Sequence, residues 1–586
     1  MKSFFKYLLA TITGIILSSI LLFLIFMAIV SAMISRQDKE LDIKENTVLY
    51  LKLDQPIIDR EPEFPIDLSS LTKNQVIGLN VLLDNIEKAK SDDKIAGIHL
   101  DLLFLRTGIA TIEEIRNALI DFRESGKFVT VYSEALGQGA YYLASAADEI
   151  YLNPLAYFNI VGLKAQTAFF KNTLKKLDIE TTIVRAGNYK SYGERFTEDK
   201  YTKENREQIE RIINTVWDDI LIKVSKERDI TPDQLKNIAD DLLLKNSNSA
   251  YDYNLVDSII YKDQVISILK SKTGTPEKDD LRIVRHAQYK HVPKPKGYKG
   301  LARDKIAVIY ASGGIDLGEG DDQSIGSDRF CREIRKARRD SSVKAIVLRV
   351  NSPGGSGTAS EAIWRELDLA REAKPVVVSM GDLAGSGGYY IACMADSILA
   401  HPSTITGSIG VFGLIPNAEG LFNKMGITFD EAVTNKHADL FSGLNSPDAE
   451  EIQYLQGLID GMYDTFVSRV SKGRNLNTEE VKKIAQGRIW SGVDAKEIKL
   501  VDKYGGLHDA INVAKSMAGL GDKYRIVELP EQEDPIEKLI KDLTGNAKLR
   551  AIEKKLGIDA GYAETVMEFM KSFGVNTRMP VDIKIY

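Results

Sequence analysis

Gly385-Ser386-Gly387-Gly388-Tyr389-Tyr390 repeats, with changes, Gly137-Gln138-Gly139-Ala140-Tyr141-Tyr142. The two stretches lie 248 residues apart (386 − 138), and the offset persists: Ala144, Ala147, Asp148, Ile150, Pro154 and Gly162 return as Ala392, Ala395, Asp396, Ile398, Pro402 and Gly410. A length of 586 residues alone would suggest about four domains. The repeat argues instead for one unit used twice. At one position the copies differ in kind, with Ser386 standing against Gln138. A serine hydroxyl can be made a nucleophile, and a glutamine amide cannot.

The correspondence runs outward from this point. Upstream, Lys94 to Leu100 resembles Lys344 to Val350, each a short and largely apolar run that reads as a buried strand. Helical patterns follow at Ile112 to Phe122 and Ala359 to Ala370, then strands at Val129 to Tyr132 and Val376 to Ser379. Downstream, Ile209, Ile212, Ile213, Val216 and Ile220 trace one face of a long helix. That helix ends in Val224-Ser225-Lys226-Glu227-Arg228, and the second copy ends in Val470-Ser471-Lys472-Gly473-Arg474. Leu255-Val256-Asp257 pairs with Leu500-Val501-Asp502, where the offset has drifted to 245 (500 − 255). Strands alternating with helices predict an α/β fold with crossover connections, present in two tandem copies.

These matches divide the chain into a first repeat over 45–280 and a second over 305–530. The basic stretch between them, 281–304, carries Pro293, Pro295, Gly297 and Gly300 and reads as an exposed, irregular linker. The tail, 531–586, has no partner in the first copy, and its pattern is helical and then extended. At the other end, Tyr7 to Ile34 holds 28 residues without a charge. About 20 suffice for a bilayer helix, so residues 1–40 are expected to be a membrane anchor in contact with the lipid bilayer. A cleaved signal peptide ending at Val30-Ser31-Ala32 is the alternative, and either reading exports the body. A net charge of −6 and ordinary composition carry no nucleic-acid signal. Cys331 and Cys393 fall in helical patterns without metal-ligand spacing and read as buried small hydrophobes. No metal or cofactor is implied.

Ser386 is the first candidate for chemistry. A strand at Val376 to Ser379, a small-residue turn at Gly381 to Gly385 and a helix from Tyr389 place it at a helix N-terminus, where unpaired N–H groups favour negative charge. The same string also suits a helix N-cap serine, which leaves both readings open. Asn351-Ser352-Pro353-Gly354-Gly355-Ser356-Gly357 lies between another strand and helix. Its glycine pair can present N–H groups to an oxyanion or hold a phosphate, but the lysine ending of a phosphate-binding loop is missing. The first copy has only Gly108 in this region. A serine also needs a base. None of His99, His286, His291, His401, His437 and His508 has a strong motif context. His401 and His437 remain open, as does a lysine made neutral by burial.

Together, Asn351 to Ser356, Ala384 to Tyr390 and Thr406-Gly407-Ser408-Ile409-Gly410 resemble the signal peptide peptidase A (protease IV) family, in its long, duplicated, membrane-anchored form. The resemblance implies two crotonase-like (Clp-protease-like) repeats and a Ser/Lys dyad split between them. Carried over, Ser386 is the nucleophile and Lys190, in Arg185-Ala186-Gly187-Asn188-Tyr189-Lys190-Ser191, is the base. By its own string Lys190 would read as a surface lysine. Its counterpart in the second copy is Ala438 or Asp439, and Lys436 is a nearby rival. Gly354, Gly355 and Gly387 are implied as oxyanion donors, and Ser408 as a hydrogen-bond partner of the lysine amine.

The implied activity is a membrane-bound serine endopeptidase acting on signal-peptide remnants and other small apolar peptides. The implied assembly is a homotetramer in the bacterial inner membrane, single-pass, with the body on the periplasmic side. Two other readings stay open: a crotonase-type acyl-CoA enzyme and a non-catalytic membrane scaffold.

Overall fold

The computed structural model describes residues 4, 6, 7, 10–22, 25, 41–62, 76–293, 302–532 and 574–579. Each copy is built on its own sheet, parallel throughout in the first and parallel but for an antiparallel edge strand, Ile489–Ser491, in the second. In the first, the strand order is Ser258–Ile259, Glu149–Phe158, Phe128–Leu136, Ile95–Leu102, Thr47–Lys52 and Ile283–Arg285. In the second it is Ile489–Ser491, Ile405–Gly407, Val376–Gly385, Val343–Ser352, Lys305–Ser312 and Arg525–Leu529, with Ser397–Ala400 also paired to Val376–Gly385. The central strands are buried on both faces, which is why they read as unbroken apolar runs: Ile306, Ala307, Val308 and Ile309 have no exposure at all.

The duplication extends to individual bonds. Tyr141 donates its hydroxyl to the Leu255 carbonyl at 3.0 Å, and Tyr389 does the same to Leu500 at 2.9 Å. Arg123 pairs with Asp148 at 2.7 Å, and Arg371 with Asp396 at 3.1 Å. The repeated Tyr and Asp therefore hold equivalent corners of the two units.

A third sheet draws strands from both copies. Its order is Ser324–Gly326, Gly314–Asp316, Gly354–Ser356, Gly574–Arg578, Val411–Asn417 and Glu180–Ala186. The last strand comes from the first copy and pairs antiparallel with the second copy along its whole length, Ala186 opposite Val411 and Glu180 opposite Asn417. Buried charges tie the copies together elsewhere. Arg349, fully buried, meets Asp59 at 2.8 Å and Glu114 at 2.9 Å. Removing either partner of such a pair would strand a desolvated charge, so the two copies are held in one arrangement.

Several expectations change. The glycine-rich run 381–385 is no turn, because the strand Val376–Gly385 continues to the residue before Ser386. The stretch expected to be linker is ordered at its start. Ile283–Arg285 is the edge strand of the first sheet, and Tyr289 is fully buried. Residues 294–301 of that stretch lie outside the described residues. Cys393 is buried as expected, but Cys331 only partly so. Of the tail, 574–578 form a strand, whereas the part expected to be helical lies outside the described residues.

The expected single-pass location is corrected. Within Tyr7 to Ile34 the described residues run helical over 10–22, 13 residues in all. No helix among the described residues is long and apolar enough to cross a membrane. The remainder of that segment, apart from Tyr7 and Ile25, lies outside them. Placement in an inner membrane with a periplasmic body is not retained.

Candidate active site

The strand Val376–Gly385 delivers Ser386 directly to the first turn of the helix Gly387–Ala392. The change of direction is abrupt. Ser386 has φ 56° and ψ −114°, a conformation that costs a non-glycine residue free energy and that surrounding structure must enforce. Two contacts enforce it. The Ser386 amide donates to the Gly407 carbonyl at 2.8 Å, and its carbonyl accepts from the Tyr390 amide at 2.8 Å. Its side chain makes no N-cap hydrogen bond, so the capping reading falls. Gly388 admits no side chain, since a Cβ there would lie 2.8 Å from the Ser352 carbonyl oxygen.

Lys190 arrives from the other copy. The strand Glu180–Ala186 ends beside Val411, and Gly187, at φ 101°, turns the chain inward. A Cβ on Gly187 would stand 2.3 Å from the backbone of Gln486, and one on Gly487 would stand 2.5 Å from Lys190 Cβ. The lysine loop and the Gln486–Gly487 turn of the second copy therefore fit only with glycine on each side. The Tyr189 amide donates to the Gln486 carbonyl at 2.9 Å. Gln208, from the long helix Lys203–Arg228, closes the arrangement. Its amide nitrogen donates to the Tyr189 carbonyl at 3.2 Å and the Ser191 hydroxyl at 3.0 Å, and its oxygen accepts from the Ile489 amide at 3.1 Å. Neither Gln208 nor Gly487 was singled out from sequence, because each acts across the boundary between copies.

Lys190 is 1% exposed. Its Nζ lies 2.6 Å from Ser386 Oγ, 3.0 Å from Ser408 Oγ and 3.1 Å from the Ser408 carbonyl oxygen. None of these partners is charged, and burial pushes the amine well below its ordinary pKa. A neutral amine has two N–H groups and one lone pair. The carbonyl must accept one N–H, the Ser408 hydroxyl can take the other, and the lone pair is then left for the Ser386 hydroxyl. Ser408 is itself held at φ 51°, with its amide donating to the Arg488 carbonyl at 2.7 Å.

The glycine loop divides its tasks. Gly354, at φ 93°, donates its amide to Ser352 Oγ at 3.2 Å, so this glycine shapes the loop. Gly355 pairs with Ile315 so closely that a Cβ would lie 2.0 Å from the Ile315 carbonyl oxygen. Gly387 opens the helix after Ser386, where first-turn N–H groups lack intrahelical partners.

The rival bases are engaged elsewhere. Lys436 is exposed and pairs with Glu450. His437 is bonded to Glu451 at 2.9 Å. His401 is buried between Glu113, at 3.5 Å, and Glu114, at 3.7 Å. Burial alone would lower its pKa, but the two carboxylates hold it protonated, up to about 9. A cation of that kind cannot accept a proton at neutral pH.

Comparison with known proteins agrees with the duplication. The model of peptidase family S49 matches this chain twice, over 121–275 and 368–521. "Protease 4" of Haemophilus influenzae is 37% identical over 450 residues, 74% of this chain and 72% of that one. "Serine protease SPPA, chloroplastic" of Arabidopsis thaliana is 31% identical over 514 residues, 86% of this chain and 74% of that one. Among solved structures, a ClpP1 variant of Listeria monocytogenes aligns at 14% identity with a TM-score of 0.24, covering 35% of this chain and 94% of that one. With both halves matched and relatives aligned over most of its length, the chain belongs to peptidase family S49 and is a serine endopeptidase.

Proposed function

We propose that this endopeptidase cleaves short apolar peptides, signal-peptide remnants among them, through an acyl-enzyme on Ser386 with Lys190 as general base. The reading rests on one observation: the 2.6 Å approach of Lys190 Nζ to Ser386 Oγ inside a site sealed from solvent. That distance is within hydrogen-bond reach for a base and the proton it removes.

Neutral Lys190 takes the Ser386 proton as Oγ attacks the peptide carbonyl. The resulting oxyanion is received by backbone N–H groups, Gly355 and Gly387 being the donors we assign. Lys190, now an ammonium, returns the proton to the leaving amine as the C–N bond breaks. A water then enters, loses a proton to Lys190 and attacks the ester. Collapse of the second intermediate releases the acid and restores the Ser386 hydroxyl. Ser408 orients the amine throughout by holding its two N–H groups.

On this reading the first repeat, 45–280, supplies the base and the second, 305–530, supplies the nucleophile, each on a Clp-protease-like scaffold. Membership of a peptidase family leaves no ground for the acyl-CoA and scaffold readings. Exposed Leu155, Tyr157, Met425 and Phe441 suit burial between subunits, in keeping with a homotetramer, which mass measurement in solution tests. The activity itself is tested with an internally quenched apolar peptide. Turnover is expected from the wild type and none from Ser386→Ala, and equal turnover by both would refute the proposal.

A further inference from the structure

The strand Val376–Gly385 does not keep a regular ladder up to Ser386. Against its neighbour Val343–Ser352, Met380 faces Val350 and Ala384 faces Ser352. Two steps along one strand match four along the other, so the backbone bulges over Gly381-Asp382-Leu383. A bulge beside an active site re-aims a side chain. This one is tied down at three points. The Gly381 carbonyl accepts from Thr404 Oγ1 at 2.8 Å, and the Leu383 amide donates to Asn351 Oδ1 at 3.2 Å. Both of these ties lie within the second copy. Asp382 makes the third and crosses to the first copy: Oδ1 accepts from the Thr111 amide at 3.0 Å and Oδ2 from the Thr111 hydroxyl at 2.7 Å.

Thr111 lies in the first turn of the helix Ile109–Arg123. First-turn N–H groups lack intrahelical partners and favour negative charge. This helix provides for neither itself: its cap residue Gly108 makes no side-chain hydrogen bond, and its first turn holds no acidic residue. Asp382 supplies both from the other copy. Gly108 leaves the room, since a Cβ there would lie 2.2 Å from Asp382 Cγ. The lone glycine of the first copy's loop is thus explained by a carboxylate 274 positions away (382 − 108). At the repeat offset of 248, the counterpart of Asp382 is Glu134, which is exposed. The tie is therefore a feature of the junction between copies and not of the repeat.

We infer that Asp382 is a positioning residue for the reaction: by capping the first copy's helix, it fixes the bulge, and with it Ser386 four residues on, relative to the copy that carries Lys190. The inference rests on the Ser386–Lys190 reading of the site. Asp382 acts through the strand and not on the peptide. Its loss therefore slows attack by Ser386, leaves peptide binding nearly as it was and leaves the surroundings of the Lys190 amine unchanged.

Three full-length variants test it, with the quenched apolar peptide for kcat and KM and a fluorophosphonate for the reactivity of Ser386. Asp382→Ala removes the cap from the second copy. Gly108→Ala keeps Asp382 but drives its carboxylate off Thr111 from the first copy. A 1 Å misplacement costs on the order of 100-fold, so both are expected to lower kcat and the labelling rate about tenfold or more, with KM within about twofold of wild type. Asp382→Asn keeps an oxygen for the Thr111 amide and is expected to retain most of the rate. In all three the pH-rate limb of Lys190 is expected at its wild-type position. An anchor of the fold alone would lower the melting temperature and leave kcat of the folded enzyme untouched. Wild-type kcat and labelling rate in either alanine variant, folded, would overturn the inference, as would a loss confined to KM, while Ser386→Ala still abolished turnover. Undiminished turnover by Ser386→Ala would overturn it by removing the reading on which it rests.

Discussion

Lys190 Nζ stands 2.6 Å from Ser386 Oγ, although the two residues are 196 positions apart and belong to different copies of the repeat. Neither copy contains both groups. On the proposed mechanism, the active site exists only where the copies interlock.

The pH dependence of activity should carry the signature of a buried amine. Lys190 must be neutral to act, and burial lowers its pKa from 10.5. Wild-type kcat/KM is expected to rise with pH through this lowered pKa and then level off. Stability has the same sign. The unfolded chain holds the lysine proton up to 10.5 while the folded chain releases it earlier, so this group favours folding progressively as pH climbs between the two values. In Lys190→Met both dependences are expected to vanish, which pH-rate and pH-melting curves would check.

Gln208 should matter for the rate and little for binding. It bonds to the lysine loop at Tyr189 and Ser191 and to the second copy at Ile489. Gln208→Leu leaves those groups unpaired and frees the loop. A displacement of Lys190 by about 1 Å would cost on the order of 100-fold in kcat. We expect that loss with KM nearly unchanged and with partial recovery in Gln208→Glu, whose oxygen can still accept from Ile489. A matching rise in KM would assign Gln208 to substrate binding instead.

Gly487→Ala applies the same logic through sterics. The added methyl would meet Lys190 Cβ at 2.5 Å, and φ at this position is 78°. Turnover is expected to fall at least as far as in Gln208→Leu, and fluorophosphonate labelling of Ser386 should slow in parallel.

His401 provides the contrast. Its charge is held by Glu113 and Glu114, and Glu113 is in turn held down to about 2 although burial opposes it, through His401 and Lys223. The histidine contribution is full below 6.5 and is lost as pH rises through about 9. The Glu113 contribution is full above 4.5 and is lost as pH falls toward about 2. His401→Gln should therefore destabilise most between these limits, by about 3 kcal/mol for a broken buried pair, and hardly at all above pH 9. Ser386 should still label at close to the wild-type rate below the melting temperature. Loss of labelling in the folded variant would return histidine to the mechanism.

The extent to which the sequence disclosed this site follows from where its signals lie. The parallel sheets were legible because strands buried on both faces are written as apolar runs, and the second copy repeats them. Ser386 stood out because glycines flank it and glutamine replaces it in the first copy. Lys190 was legible only through family resemblance, since a single lysine in a polar loop carries no mark of the burial it will undergo. Gln208, Gly487 and the place of the tail strand in the third sheet are not legible in the sequence for a related reason. Each acts on a partner hundreds of positions away, and no local period encodes such a contact. The glycines at 381 and 385 misled in the opposite direction: they suggested a turn where the strand in fact continues, its small residues admitting Asn351 and Met579 at close range.

Activation of Ser386 by Lys190 is the step on which the proposed mechanism turns. The most direct test is the rate at which a fluorophosphonate phosphonylates Ser386, with loss of fluoride, in Lys190→Met, followed by intact mass, beside the wild type and Ser386→Ala. General-base catalysis is worth about 10²–10⁴ in rate. Labelling is expected to slow by that order in folded Lys190→Met and to be absent in Ser386→Ala. Labelling of Lys190→Met at the wild-type rate would contradict it.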